Sequence, residues 1–357
     1  MYILNKIMFP INILAILVLL CSYFAPHVSP VDQWYFAFAG MAYPVLLVAN
    51  IFFFLYWGFQ IRMSALYSFV AILIGYNHLL GYFQTDPKKA KVKSRTISIY
   101  SFNTHNFGSP EKKNSASVSF TEMFKTDKPD IICLQESYES GEFKDYDLKK
   151  ELKGYHFAYA KIVDNRIQSY GVPIISRFPI VDKGLIIFDS NSTNFSSYAD
   201  VVINNHDTVR IINTHLVSIR FEKYDYAFAN QPKMEDDTDV VSTKTILRKL
   251  KTGFIKRAGQ VEQLVEFMDQ TPYPMVLCGD FNDTPVSYAY DKLSLGMKDA
   301  FRESGSGIST TYTGPFPSYR IDYILFNENF DGYNYKAVET SYSDHKLVKT
   351  LIDLNSR

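Results

Sequence analysis

A chain of 357 residues has room for two ordinary domains, and its 37 basic and 37 acidic residues cancel overall. Beyond Arg95, however, stand 30 basic and 35 acidic residues, a net of −5, which argues against non-specific nucleic-acid binding by bulk charge. Three cysteines make no disulfide framework: Cys21 lies in a membrane-like run, and Cys133 and Cys278 read as small buried hydrophobes inside apolar strand-like runs.

Nearly all the long hydrophobic runs fall in the first 85 residues. Phe9 to Ala25, Trp34 to Phe59 and Ala65 to Phe83 approach or exceed the about 20 residues needed to cross a hydrocarbon core. Trp34, Tyr35, Tyr56, Trp57, Tyr82 and Phe83 sit near the ends of these runs, where interfacial aromatics belong. The pattern predicts three transmembrane helices in a membrane region over residues 1–87. No Ala-x-Ala-like cleavage site follows the first run, so it reads as a span. Asn77 and His78 read as interfacial or inter-helix hydrogen bonders. Asp86-Pro87 is expected to stop the third helix, and residues 88–95 to form a basic linker suited to anionic headgroups. Lys6 and Arg62 fall on one side of such a region and Lys88, Lys89, Lys91, Lys93 and Arg95 on the other. That asymmetry favours a multi-pass protein with its soluble domain, residues 96–357, in the cytoplasm.

Thr96 to Phe102 alternates polar and apolar residues, the signature of a half-buried strand, and Asn103 follows at its end. Val118 to Lys125 reads as helical. Ile131 to Leu134 is a buried strand delivering Gln135 and Glu136, and Tyr170-Gly171 precedes a strand over Val172 to Ser176. Val209 to Asn213 is a further strand, ending in Thr214-His215. A histidine so placed is either a satisfied core residue or an acid–base group. Ser218 to Lys256 is expected to be an irregular, charged surface excursion. Lys244, Arg248, Lys249, Lys251, Lys256 and Arg257 then make the start of the next helix basic, which suits a solvated face, anionic lipid or a phosphate-rich substrate. Val261, Leu264, Val265 and Met268 recur at helical spacing and should pack that helix on a sheet.

Met275 to Cys278 is an apolar strand that ends at Gly279 and is followed by Asp280 and Asn282, two short oxygen-bearing side chains on one side of an extended chain. A carboxylate there can take a proton or hold Mg²⁺, and an amide can orient a phosphoryl oxygen; the bland alternative is an Asx-turn. Ser309 to Tyr312 and Arg320 to Phe326 read as strands. The second carries Asp322, an acid that is costly among apolar neighbours unless paired, and His345 of Ser343-Asp344-His345 supplies a partner just before the closing strand, Leu347 to Leu351.

Asn103, Glu136, Asp280 with Asn282, Asp322 and Asp344-His345 occur in an order that resembles the endonuclease/exonuclease/phosphatase superfamily of metal-dependent phosphoesterases. The resemblance rests on Leu-Gln-Glu at 134–136, Gly-Asp-Phe-Asn at 279–282, Arg-Ile-Asp-Tyr-Ile at 320–324 and Ser-Asp-His at 343–345, motifs that are weak singly and strong as an ordered set. It covers Thr96 to the C-terminus and implies an α/β fold, a four-layered α/β sandwich of two packed sheets flanked by helices. It further implies Glu136 as principal Mg²⁺ ligand, with Asn103 and Asp344 beside it, Mn²⁺ being an alternative metal. Asp280 would orient or deprotonate the attacking water and Asn282 would hold a phosphoryl oxygen. His345, oriented by Asp322, would stabilise the transition state, His215 would act near the leaving group, and Tyr170 would contact the phosphate. The expected partners are a phosphoester substrate and membrane lipid. A lipid headgroup or small phosphoester is favoured over nucleic acid, the alternatives being a membrane-anchored nuclease and a dead binding module.

Overall fold

Alternation with a period of two sorts the apolar residues onto the two faces of each strand. Along Thr96–Asn103, Ile97 and Ile99 enter the cluster between two sheets while Tyr100 and Phe102 enter a cluster on the outer face. The computed structural model describes residues 2–89, 95–105, 113–138, 152–158, 170–188, 194–203, 207–219, 237–314 and 318–354, without the side chains of 113–119, 138, 170 and 237–242.

Two six-stranded mixed sheets pack face to face. In the first, the strands run in the order Met297–Asp299, Asp322–Asn327, Met275–Asp280, Asp207–His215, Phe195–Ile203, Ile180–Ile187. In the second the order is Asp331–Val338, Leu347–Asp353, Thr96–Asn103, Ile131–Gln135, Ile174–Ser176, His156–Ala158. Ile99, Ile131, Cys133 and Ile174 of one sheet meet Val201, Ile211, Val276, Cys278 and Ile324 of the other. Helix Asp237–Asp269 covers the first sheet through Val261, Leu264 and Met268, with Val265 at the margin, as its spacing predicts. Helix Lys113–Asp127 covers the second through Phe120 and Phe124. The expected order of helix, sheet, sheet, helix is therefore present.

Each sheet contains one parallel pair at its centre. Thr96–Asn103 runs beside Ile131–Gln135 with Asn103 opposite Gln135, and Asp207–His215 runs beside Met275–Asp280 with His215 opposite Asp280. Both pairs end at the same place, and a polar bridge joins them. Gln135 Nε2 donates to Asn213 Oδ1 at 2.6 Å, and Asn213 Nδ2 donates to the carbonyls of Leu134 and Pro173. All of this is buried, so no water can replace a lost partner.

Several expectations need correction. The charged stretch from Ser218 to Lys256 is helical from Asp237 onward, residues 220–236 lying outside the described ones. The reason is a stripe that begins earlier than the four residues first read: Leu250, Phe254 and Ala258 precede Val261 at spacings of four, four and three, and all are buried. The basic residues Lys244 to Arg257 thus lie within the helix and not at its start. The strand expected at Val172 to Ser176 begins at Ile174, and in place of a strand over Ser309 to Tyr312 there are a short strand, Gly307–Ile308, and a single bridge between Tyr312 and His345.

The N-terminal region differs most. Among the described residues one helix, Tyr2–Ser22, is long and apolar enough to cross a membrane, and a bent pair, Tyr35–Met41 and Tyr43–Gly58, reaches that length only if its 63° break is counted within one span. The break falls just before Pro44, which has no N–H to continue the helix. The third expected span stops at Ile74, because Gly75 lets the Tyr23 ring into the space a side chain would fill. Phe83–Gln84 is a strand on Gly307–Ile308 and not a helix end, so Asp86-Pro87 is not what stops the helix. The inference that the soluble domain faces the cytoplasm rested on three spans and loses its footing. Of the basic linker, Lys88 is paired with Glu303 at 2.9 Å and Arg95 with Asp207 at 3.7 Å, which draws charge away from a lipid-facing role; residues 90–94 lie outside the described ones.

Asn213→Ala removes one hydrogen bond from each of three buried groups and is expected to destabilise the protein by roughly 1–3 kcal/mol. Urea denaturation would measure it. A change below about 0.5 kcal/mol, the range of ordinary surface substitutions, would show that the bridge does not hold the sheets together.

Candidate active site

The ends of the two parallel pairs gather the polar residues that the strands themselves cannot use. Asp280 is opposite His215 on one side and opposite Asp322 on the other. Two carboxylates held side by side and almost fully buried repel each other, and the surroundings answer that repulsion. His345 Nδ1 lies 3.1 and 3.0 Å from the two oxygens of Asp322, and its Nε2 lies 3.8 Å from Asp280 Oδ2. Asp280 accepts from Asn103 Nδ2 at 2.9 Å, from the Asn282 backbone N–H at 2.8 Å and from Asn282 Nδ2 at 3.2 Å.

Electrostatics follow from this packing. Burial, then the neighbouring Asp322, pushes the Asp280 carboxyl up to about 6 against the opposing pull of His345 and His215, which poises it as a base near neutrality. Burial opposes the charge on His345, but Asp322 and then Asp280 outweigh it and raise the imidazole from 6.5 to about 10. Burial likewise opposes the charge on Asp344; the His105 imidazole, 2.9 Å from its Oδ1, and His345 behind it hold the carboxyl below the usual range.

Across the sandwich, Glu136 stands where the second sheet ends. Its Oε1 is 3.4 Å from His215 Nε2 and 3.4 Å from Asn103 Nδ2. The His215 Nε2 atom is buried and has no hydrogen-bond partner among the described residues, and His215 Nε2 is 3.9 Å from Asp280 Oδ2. Asn103 Oδ1 meanwhile accepts from the His105 N–H at 3.0 Å. The sequence-derived set Asn103, Glu136, His215, Asp280, Asn282, Asp322, Asp344 and His345 is thus brought to one place. Tyr170 is the exception: its backbone pairs with Tyr138 beside the Glu136 strand, and its side chain lies outside the described residues.

Metal-binding groups form a crowded set. Asp280, Asp322 and His345 offer atoms within 4.8 Å of one another, but both Asp322 oxygens are already engaged by His345. Glu136, with Asn103 3.4 Å away, and Asp344 are hard oxygen donors partly open to solvent, the donor type that suits a hard divalent cation.

Three non-glycine residues of the site have left-handed backbones: His105 at φ 42°, Glu136 at φ 47° and Asn282 at φ 52°. Such conformations cost free energy and concentrate where function requires a side chain to be aimed. Gly279, at φ 143°, is obligatory, since a Cβ there would run into the Thr214 carbonyl. Sequence reading missed His105, which sits on no periodic element; its place two residues after Asn103 is the available signal. It reads Arg257 as one of a basic helix run open to solvent, lipid or substrate, whereas the side chain is buried, its Nε donating to Asp283 Oδ2 at 2.9 Å and its Nη1 to the Val217 carbonyl at 2.6 Å, and it ties together the loops after Asp280 and after His215.

A histidine raised from 6.5 to about 10 contributes its full stabilisation below pH 6.5 and loses it as pH rises through 10. His345→Ala strands two buried carboxylates and should cost about 3–5 kcal/mol near pH 6, the range for breaking a buried pair, with the deficit shrinking toward pH 10. Denaturation of both proteins at pH 6, 8 and 10 reads this directly. A deficit that does not vary with pH would mean that the ion pair is not its source.

The family model for the endonuclease/exonuclease/phosphatase family matches residues 100–345, more than half of the chain, and one described as a domain of unknown function (DUF8431) matches residues 5–82. No match is found among curated proteins. Among solved structures, D. rerio TDP2 humanized by 14 mutations is 15% identical with a TM-score of 0.53, over 73% of this chain and 99% of that one. The Bacteroides thetaiotaomicron mannosyl-6-phosphatase is 18% identical with a TM-score of 0.50, over 72% of this chain and 99% of that one. The human Nocturnin catalytic domain, solved with bound sulfate, is 15% identical with a TM-score of 0.51, over 74% and 95%. At such identities these structures share the fold, and it is the family match over residues 100–345 that places the chain in the endonuclease/exonuclease/phosphatase family of phosphoester hydrolases.

Proposed function

We propose that the protein is a membrane-associated, Mg²⁺-dependent phosphoesterase acting on a lipid headgroup or a small phosphoester. The observation that carries the catalytic part is the row His215, Asp280, Asp322, in register across three strands, with His345 behind it and Glu136 facing it. A divalent cation held by Glu136, Asp344 and Asn103 would supply charge to a phosphate oxygen; Mg²⁺ suits the hard oxygen donors and Mn²⁺ is the natural substitute. Asp280 takes the proton of the attacking water. The Asn282 amide spends one N–H on the Leu216 carbonyl at 3.0 Å and the other on Asp280 at 3.2 Å, and the second turns to a phosphoryl oxygen once Asp280 has taken up its proton. The imidazolium of His345, fixed in tautomer and charge by Asp322, stabilises the charge that builds on the equatorial oxygens. His215 stands on the Glu136 side, where a leaving group would be protonated.

Membrane association is supported by an inverted polarity in the N-terminal unit. Asn12, Ser22, Asn50 and Ser68 are fully buried, with Asn12 Nδ2 donating to Ser68 Oγ and Trp57 Nε1 donating to Asn12 Oδ1. Tyr2, Ile3, Ile7, Leu14, Val45, Val48, Leu73 and Ile74 face outward and are exposed. Apolar residues outside and hydrogen-bonding residues between helices suit a lipid solvent and not water. The acidic soluble part speaks against duplex DNA, and a relative named as a mannosyl-6-phosphatase speaks for a small ester.

EDTA should abolish hydrolysis and Mg²⁺ or Mn²⁺ restore it; full turnover in chelator would refute the metal assignment. Asp280→Asn and His345→Ala should each lower kcat by roughly 10² to 10⁴, the range for lost acid–base groups. A panel of phospholipids, sugar phosphates and plasmid tests the substrate class, and rapid plasmid cleavage with no other turnover would return the reading to a nuclease. The full chain should stay in the membrane pellet through an alkaline carbonate wash and leave it with detergent; release by carbonate alone would remove the lipid-embedded reading.

A further inference from the structure

The loop that follows the catalytic strand does not end in solvent. Val286 is fully buried, in one cluster with Leu19, Tyr43, Leu47 and Ala71 of the N-terminal unit. At Gly40 there is no room for a side chain: a Cβ would run into the Val286 carbonyl and lie 2.6 Å from Ala25 Cβ. At Gly81 a Cβ would lie 2.7 Å from Pro285 Cβ. Tyr82 packs against the same cluster as Val286. A second connection runs through the long helix. Phe38 meets Phe254 edge-on, with ring centroids 5.3 Å apart, and the Arg257 guanidinium lies over that Phe254 ring on its way to Asp283 and Val217. Asp283 and Val217 adjoin Asn282 and Leu216, which are themselves joined by the Asn282 amide.

We propose that the N-terminal unit is a positioning element of the active site, and that Gly40 and Phe38 act through the 281–286 loop and Arg257 to hold Asp280 and Asn282 in catalytic geometry. The strained backbone of Asn282, at φ 52°, needs a support of this kind, because a loop released on one side relaxes toward ordinary φ. The assignment takes the roles of Asp280 and Asn282 from the phosphoesterase reading above. It makes the unit matched over residues 5–82 a structural part of the enzyme in addition to an anchor.

The test uses the full chain in detergent, with p-nitrophenyl phosphate and bis(p-nitrophenyl) phosphate as probes. Gly40→Leu wedges the contact with Val286, whereas Gly58→Leu, in the same unit with nothing near it, serves as control. Gly40→Leu should lower kcat about 10²-fold, the scale of a misplaced catalytic group, with KM within about twofold, while Gly58→Leu behaves as the parent. Amide exchange over residues 281–286 should accelerate in Gly40→Leu and stay unchanged in Gly58→Leu. If Gly40→Leu loses its circular dichroism, Phe38→Ala decides in its place, removing a contact without adding bulk, and Phe38→Tyr should restore the parent kcat. Parent kcat and parent exchange in Gly40→Leu, or in Phe38→Ala where that decides, would overturn the proposal. If the parent itself turns over neither probe the functional reading is at fault, and loop exchange alone then judges the coupling.

Discussion

Two carboxylates facing each other across a strand pair, Asp280 and Asp322, set the terms for everything around them. Each is almost fully buried, and an uncompensated buried charge costs several kcal/mol. The compensation arrives from four separate stretches of chain: His345 from the segment before the last strand, Asn103 from the end of the first strand of the second sheet, Asn282 from the following loop, and His215 from the neighbouring strand. The site therefore exists only when both sheets are closed on one another. The cross-sheet bridge of Gln135 and Asn213 adjoins it, Gln135 next to Glu136 and Asn213 two residues before His215.

The same pair accounts for the electrostatic division of labour. Of two acids that cannot both be comfortably charged, Asp322 keeps the histidine and Asp280 is left with amide donors and a raised pKa. That division suits the proposed roles, Asp322 as orienter and Asp280 as base. His105 and Asp344 repeat the pattern nearer solvent, where the ion pair lowers the acid instead. Backbone strain marks the same places, and hydrogen bonds within the site accompany it: the Asn282 N–H donates to Asp280, the His105 N–H to Asn103, and Thr104 Oγ1 to the Glu136 carbonyl.

Much of this was legible in the sequence because strand ends are legible. Alternation locates the strand before Asn103 and short apolar runs locate those before Glu136 and Asp280; a polar residue where such a run stops stands at a strand end, as His215 also does. The pairing of Asp322 with His345 followed from the cost of an acid among Tyr323, Ile324 and Leu325. Less legible were features set by tertiary contact. Hydropathy reported that residues 34–59 and 65–83 are apolar, but whether an apolar run stays one helix depends on Pro44 and on Tyr23 filling the space beside Gly75, neither of which periodicity sees. The helix from Asp237 was hidden because its first turns are charged and its stripe is narrow there. His105 was hidden because a loop residue aimed by a left-handed backbone leaves no pattern.

One architectural fact links the two halves of the molecule. The parallel pairs deliver Asn103 and His215 with Asp280 at one end of the sandwich, and the loop leaving Asp280 carries Pro285 and Val286 straight onto the N-terminal helices. A tether alone needs only a linker, and a linker tolerates sequence change. Here the junction excludes side chains at Gly40 and Gly81 and adds a strand pair between Phe83–Gln84 and Gly307–Ile308. Close-packed contacts of that kind transmit displacement instead of absorbing it. In the proposed coupling, displacement of the N-terminal unit is felt at Asn282, two residues from Asp280, so that the sandwich fixes the chemistry of the phosphoesterase and the helices on which it rests fix its competence.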